Sequence, residues 1–403
     1  MRTAQFLPVF GLALLNAAAA IAAPYNVVSE NTSTFPLPLG ELRLTDTVVQ
    51  DGPIALNRFR MHRLRRPNVI SRGAVLLLPS LGNNFRGYLT HETGDLTKSF
   101  AAVLARAGYE VWGYSPRETG LPPGACGVSI DCSPALDWSI KTVIDDATYI
   151  RSRIKNIFPM KDPVIGGLSL GAITAIAVVN EHPKDYAGLL AWEGSPVTAD
   201  AAVIAHNANF CNQYSALVSA GVPVDDQNLP FVKAVAALAE SQPNAPFAIP
   251  VPGFPPGLTN NQAFVLIMST PNPIAPSPRP GFITAAGDFI SGQLFFSDKT
   301  RLTTAIASFN NVTANRVSRD YHCSLAGVET AFTTNLKQFK EPAMIIKAGQ
   351  GFGSIMDELP AALGSTSVTF TGINAWAHVD HLGSPAHALV LETPVLLWLN
   401  TVL

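Results

Sequence analysis

The stretch Val164–Ala175 reads VIGGLSLGAITA, and it sets Ser169 between Gly167 and Gly171. A serine hydroxyl is a poor nucleophile at neutral pH. It needs a base in hydrogen-bond reach and donors for a developing oxyanion. A sharp strand-to-helix turn lifts such a side chain clear of its sheet, and only small neighbours fit there. G-x-S-x-G after a short apolar run, with Ala172, Ala175 and Val178 on the inner face of the next helix, meets that requirement. The Leu170 N–H, first in that helix, then faces the reacting carbonyl. No Lys-Ser/Thr pair and no G-x-G-x-x-G fingerprint accompanies the turn, which argues against a phosphate cradle.

The surrounding pattern supplies elements to hold such a turn. ELRLTDTVV and LNRFRMHRLRR alternate as edge strands do. Gly73–Gly82 is a continuous apolar run ending in Pro, Ser and Gly, the signature of a strand buried on both faces. A helix follows, with Asp95 as its expected cap and Gly108 as its stop. YEVWGYS is a strand. Ile140, Val143, Ile144, Ala147, Ile150 and Ile154 share one helical face. AGLLAWEG, PAMIIKAG and SVTFTGI complete the strands, and a last helix is expected to kink at Pro394. Alternating strands and helices predict an α/β class with a mostly parallel central sheet flanked by helices. The rhythm breaks over 194–341. Helical segments there flank a Pro-rich stretch in which Arg279 is the only charged residue between Ser241 and Ala286. Its many Phe, Val, Leu and Ile residues predict a folded, apolar, mainly helical cap rather than a disordered linker.

At this point the chain resembles the α/β-hydrolase superfamily, in particular its lipase- and esterase-like members. Past the N-terminal segment 1–23, which reads as a leader, the resemblance implies core parts at 24–193 and 342–403 and a cap or lid insertion at 194–341. It implies a second oxyanion donor after the earlier strand, in Pro79-Ser80-Leu81-Gly82-Asn83-Asn84, where the Leu81 N–H is the candidate and Asn83 and Asn84 would line the substrate mouth. It places the base after the last strand. There, Ala377-His378-Val379-Asp380 matches the small-His-x-Asp pattern and favours His378, with His381 and His387 as pocket or surface histidines. Most relatives carry the acid just past the strand that follows the cap. Here Ile345–Ser354 holds no carboxylate, and the equivalent position falls near Gly351. A minority arrangement puts the acid after the strand that follows the nucleophile helix. That residue is Glu193, with Asp357 as the alternative. Relatives that act on haloalkanes or epoxides carry Asp at the elbow, so Ser169 argues against both reactions.

These residues predict a serine hydrolase with a Ser169–His378–Glu193 triad and no metal or organic cofactor. Carboxylic esters lead as substrates. Cleavage of β-diketone-type C–C bonds, lactones or peptides stays open on the same triad, as does a non-catalytic ligand-binding scaffold. The near-absence of charge in the Pro-rich stretch between Ser241 and Ala286 points to a small apolar substrate. A net charge of −2 without any basic run argues against nucleic acid. The N-terminus, MRTAQFLPVFGLALLNAAAAIAAPY, has one Arg, a short apolar stretch and small residues before Pro24, as a secretory leader does. Its strongly apolar part is too short for a stable membrane anchor. A secreted chain with four cysteines predicts disulfides. Cys126–Cys132 and Cys211–Cys323 are the expected pairs. Asn31-Thr32-Ser33 and Asn311-Val312-Thr313 are glycosylation sequons. The sequence leaves the oligomeric state open.

Overall fold

A computed structural model describes residues 25–403 except 92, 227 and 272–276. The expected leader lies outside the described residues. Among those described, no helix is long and apolar enough to cross a membrane.

Nine strands form one sheet: β1 (Asn26–Leu37), β2 (Gly40–Gln50), β3 (Arg58–Arg65), β4 (Ala74–Leu78), β5 (Glu110–Ser115), β6 (Val164–Leu168), β7 (Gly188–Trp192), β8 (Ala343–Ala348) and β9 (Val368–Ile373). Their order across the sheet is β1-β2-β3-β5-β4-β6-β7-β8-β9. The first three strands run antiparallel, and so does the β3–β5 pair. From β5 to β9 every pair is parallel, as the strand–helix alternation predicts. The central strands are buried on both faces. Leu76 and Leu78 of β4 enter one apolar cluster, and Val75 and Leu77 enter the other.

The core helices are α1 (Phe100–Arg106), α2 (Ile140–Ile157) and α3 (Leu170–Glu181). Ser99, not Asp95, caps α1; Asp95 instead caps the short turn Leu96–Lys98 before it. Ser139 and Thr142 form a reciprocal capping box at the start of α2, and its predicted apolar face is buried. Helix α3 is buried from Leu170 to Asn180, on every side, so it packs as a central element.

Within 194–341 lie α4 (Ala201–Ser219), α5 (Asn228–Ser241), α6 (Asn260–Ser269), α7 (Lys299–Ala307) and α8 (Asn315–Leu325). Helices α5, α6 and α7 share an apolar cluster of their own, built on Val235, Phe264, Ile267 and Leu302. Cys211 of α4 and Cys323 of α8 are joined, and Cys126–Cys132 closes a small loop, the two pairs expected from sequence. Closing so long a loop removes about 4–5 kcal/mol of unfolded-chain entropy in the simplest model. Beyond the insert come α9 (Ile355–Ala362), α10 (Asp380–Gly383) and α11 (Thr393–Val402). The kink expected in the last helix is a π-type turn over Ala388–Glu392, and Pro394 falls in the first turn of α11, where its missing N–H costs nothing.

Candidate active site

Ser169 sits between β6 and α3 with φ 60° and ψ −122°. Among the described residues only Asn68, Ser169 and Glu193 are non-glycine residues at positive φ. Such backbone costs about 1–3 kcal/mol and persists where its surroundings enforce it. The enforcement is visible. The Ser169 N–H donates to the Trp192 carbonyl at 2.8 Å. A methyl group on Gly167 or Gly171 would lie 2.2 Å or 2.0 Å from the Leu78 carbonyl oxygen, so the turn closes only on glycine at both places. The serine is partly exposed at the C-terminal edge of the sheet. The Leu170 N–H opens α3, where helix geometry offers it no intrahelical acceptor.

Glu193 directly follows β7, and the register Leu168↔Trp192 makes it the lateral neighbour of Ser169. Its side chain is fully buried. One carboxylate oxygen accepts the Ala348 N–H, and the other accepts the Phe352 N–H at 3.0 Å. That second oxygen also meets His378 Nδ1 at 3.1 Å. The pair therefore forms across elements 185 residues apart in sequence. Gly351 faces it, and a methyl group there would stand 2.0 Å from the Glu193 carboxylate. Phe282 and Phe352 pack on the His378 ring, with centroids at 4.8 Å and 5.7 Å. No hydrogen bond joins Ser169 Oγ to His378 among the described residues. In substrate-free sites that contact is often long and tightens as the reacting complex forms.

Asp357 is elsewhere. It lies in the first turn of α9, half exposed, and pairs with Lys347. Arg117 pairs with Asp146 at 2.7 Å and Asp51 at 2.9 Å, away from Glu193. Leu81 is half-buried in the turn after β4, just beyond the Leu78 and Pro79 carbonyls that press on Gly171. Asn83 and Asn84 of the same turn are buried, and their polar groups are engaged by protein. Asn83 Oδ1 accepts the Asn84 N–H at 2.8 Å. Asn84 caps the next turn through the Arg86 N–H and donates to the Ser308 carbonyl at 2.7 Å.

No protein-family model matches the chain, and a search of curated proteins by sequence returns no match. Solved structures do resemble it. A structure from Sulfolobus solfataricus, provisionally described as a lipase, superposes with a TM-score of 0.64 at 17% identity, over 92% of this chain and 99% of that one. A thermostable carboxyl esterase from Bacillus coagulans, in complex with glycerol, gives 0.50 at 13% identity, over 93% and 99%. The chain has the α/β-hydrolase fold.

Several other histidines of this α/β-hydrolase fold are packed inside the protein. His381 is fully buried between Trp192 and Trp376 rather than in a pocket or on the surface, and burial holds it neutral, with its pKa lowered to about 4. His387 is buried too, beside Arg301 and Glu392. His62 bridges Asp46 at 2.6 Å and Ser115 at 2.7 Å, and His322 meets Asn207 at 2.8 Å. Sequence reasoning missed several supports of the site. The Tyr88 hydroxyl donates to the Leu78 carbonyl and accepts the Leu168 N–H, so it ties together the strand ends beside Leu81 and Ser169. Arg279 donates to the Gly349 carbonyl at 2.7 Å and to that of Gly351. Its isolation in an uncharged stretch was the one signal that could have drawn attention to it. The His378 and Val379 N–H groups bond to the Ile283 and Thr284 carbonyls, so the insert also braces the His378 segment.

Proposed function

We propose that this protein is a secreted serine hydrolase that cleaves the carboxylic ester bonds of apolar, uncharged substrates. Ser169 attacks the acyl carbon, and His378 Nε2 takes its proton. Glu193 fixes the imidazole with Nδ1–H toward the carboxylate and stabilises the imidazolium that forms. The Leu81 and Leu170 N–H groups hold the oxyanion. The imidazolium then protonates the leaving alcohol. Water, activated by the same imidazole, attacks the acyl-enzyme, releases the acid and restores Ser169.

The observation that carries this reading is the buried Glu193–His378 pair at the sheet edge, beside a serine held at positive φ. A carboxylate with two backbone donors and one imidazole is an orienting group, not a surface charge. The substrate class follows from what faces His378: Phe282 and Phe352, with Arg279 already occupied by two carbonyls and so not free for a substrate carboxylate. The two disulfides fit an oxidising compartment.

The test is turnover of p-nitrophenyl butyrate together with labelling by a fluorophosphonate. The expected result is saturable turnover and one label per chain on Ser169, both abolished in Ser169→Ala. A well-folded wild-type protein that neither turns over such esters nor takes the label would refute the reading.

A further inference from the structure

The loop expected to supply the second oxyanion donor is gripped by the insert. Asn310 follows α7 and is buried. Its N–H donates to the Gly82 carbonyl at 2.7 Å. Its Nδ2 donates to the Asn83 carbonyl at 3.0 Å, and its Oδ1 accepts from Asn84 Nδ2 at 3.1 Å. One residue thus engages three consecutive residues of the loop. Ser308, two positions earlier, adds its carbonyl to Asn84 Nδ2 and its hydroxyl to Asn83 Oδ1. Within the loop, the Asn83 N–H closes a turn on the Ser80 carbonyl at 3.0 Å. Leu81 lies inside that turn. Its peptide plane is therefore set from one side by β4 and from the other by the peptides that Asn310 holds.

We infer that Asn310 is a positioning residue for the oxyanion hole, and that this part of the insert belongs to the catalytic centre rather than being a detachable cover. The inference rests on the proposed hydrolase reading. An oxyanion donor works only if it is already aimed at the place where charge will develop, within a few tenths of an ångström. The core anchors the ends of this loop, at β4 and at Phe85, whose N–H donates to Ser115 Oγ, while the middle, Gly82 to Asn84, takes its partners outside the loop from Ser308 and Asn310. Swinging the Ser308–Asn310 segment away would break all of these hydrogen bonds together and release the loop. A substrate must therefore enter without displacing that segment.

The experiment compares wild type, Asn310→Ala and the milder Asn310→Ser, which both retain the backbone N–H to Gly82. kcat and KM are measured with p-nitrophenyl butyrate, together with inhibition by an alkyl trifluoromethyl ketone. Addition of Ser169 Oγ to the ketone carbon creates a tetrahedral alkoxide that samples the oxyanion hole. The expected result is a fall in kcat of about 10–100-fold in Asn310→Ala, with KM within about threefold. The inhibition constant should rise by about the same factor as kcat falls, and the pH profile of kcat/KM should keep its shape because Glu193–His378 is untouched. Asn310→Ser is expected in between, and it keeps the test open if Asn310→Ala fails to fold. An active wild type whose folded Asn310 variants match it in kcat and in ketone inhibition overturns the inference and leaves the hydrolase reading standing. A wild type that neither hydrolyses the ester nor binds the ketone overturns both.

Discussion

Glu193 and Asp357 are carboxylates around neighbouring strands of one sheet, yet their surroundings are opposite. Glu193 is fully buried, with two backbone N–H donors and the imidazole of His378 converging on it. Asp357 is half exposed on α9, and Lys347 is its partner. The segment that follows β8, where many proteins of this fold carry their acid, holds a receptor for a carboxylate instead of a carboxylate. Ala348 and Phe352 turn their N–H groups inward, and Gly351 leaves the space that the Glu193 side chain fills. Under the proposed triad, the role of the acid depends on where a carboxylate arrives, not on which strand it starts from. Here the Glu193 carboxylate comes from one strand over and fills that cradle.

The largest expected effect breaks this comparison directly. Glu193→Gln should lower kcat by about 10³-fold or more, because the amide leaves the imidazole without its orienting charge. Asp357→Asn should stay within about threefold of wild type. Steady-state turnover of p-nitrophenyl butyrate by the two variants decides, and the reverse ranking would move the acid to α9. Next in size is Gly351→Ala. Its methyl group meets the Glu193 carboxylate, so the pair must shift. Turnover should fall about 10–100-fold, with a loss of about 1–3 kcal/mol in stability, read by denaturant unfolding. A neutral Gly351→Ala would show that the cradle is not tight. Arg279→Ala should act more mildly, lowering kcat about 5–20-fold with little change in KM, because the Gly349 and Gly351 carbonyls lose the donor that holds them.

The smallest effect concerns a buried histidine away from Glu193 and His378. Burial between aromatic rings lowers the His322 pKa to about 3. The folded protein therefore keeps the ring neutral where the unfolded chain, with an ordinary pKa near 6.5, takes up a proton. Its contribution to stability is complete above that ordinary value and is lost as pH falls from there toward 3. His322→Gln removes this acid penalty along with the ring stacking. The Tm deficit of the variant should thus shrink by a few degrees between pH 7 and pH 5, measured by calorimetry. A constant deficit would contradict the buried neutral assignment.

The sequence is legible where local chemistry and period act together. Ser169 announces itself through two glycines that the closeness of Leu78 demands. Glu193 and His378 were singled out by their places after strands, and their side chains meet. The doubly buried strands and the inner face of α2 follow directly from apolar period. Elsewhere the signal is weak or absent. β1 is almost wholly exposed and polar, held to β2 through its backbone, so no apolar alternation marks it. Asn83 and Asn84 look like mouth-lining residues because they follow a strand end. Their partners at Ser308 and Asn310 lie more than 220 residues away in sequence, and no local rule points there. His381 reads as a second histidine beside the first, and only the packing of Trp192 and Trp376 removes it from solvent.

The central claim is that a carboxylate arriving from β7 orients the imidazole that serves Ser169. Proton NMR tests it most directly, through the low-field resonance of the His378 Nδ1–H shared with Glu193. The account predicts one such resonance in wild type and in Asp357→Asn, absent from Glu193→Gln and from His378→Ala. A resonance that survives Glu193→Gln and disappears in Asp357→Asn would contradict it.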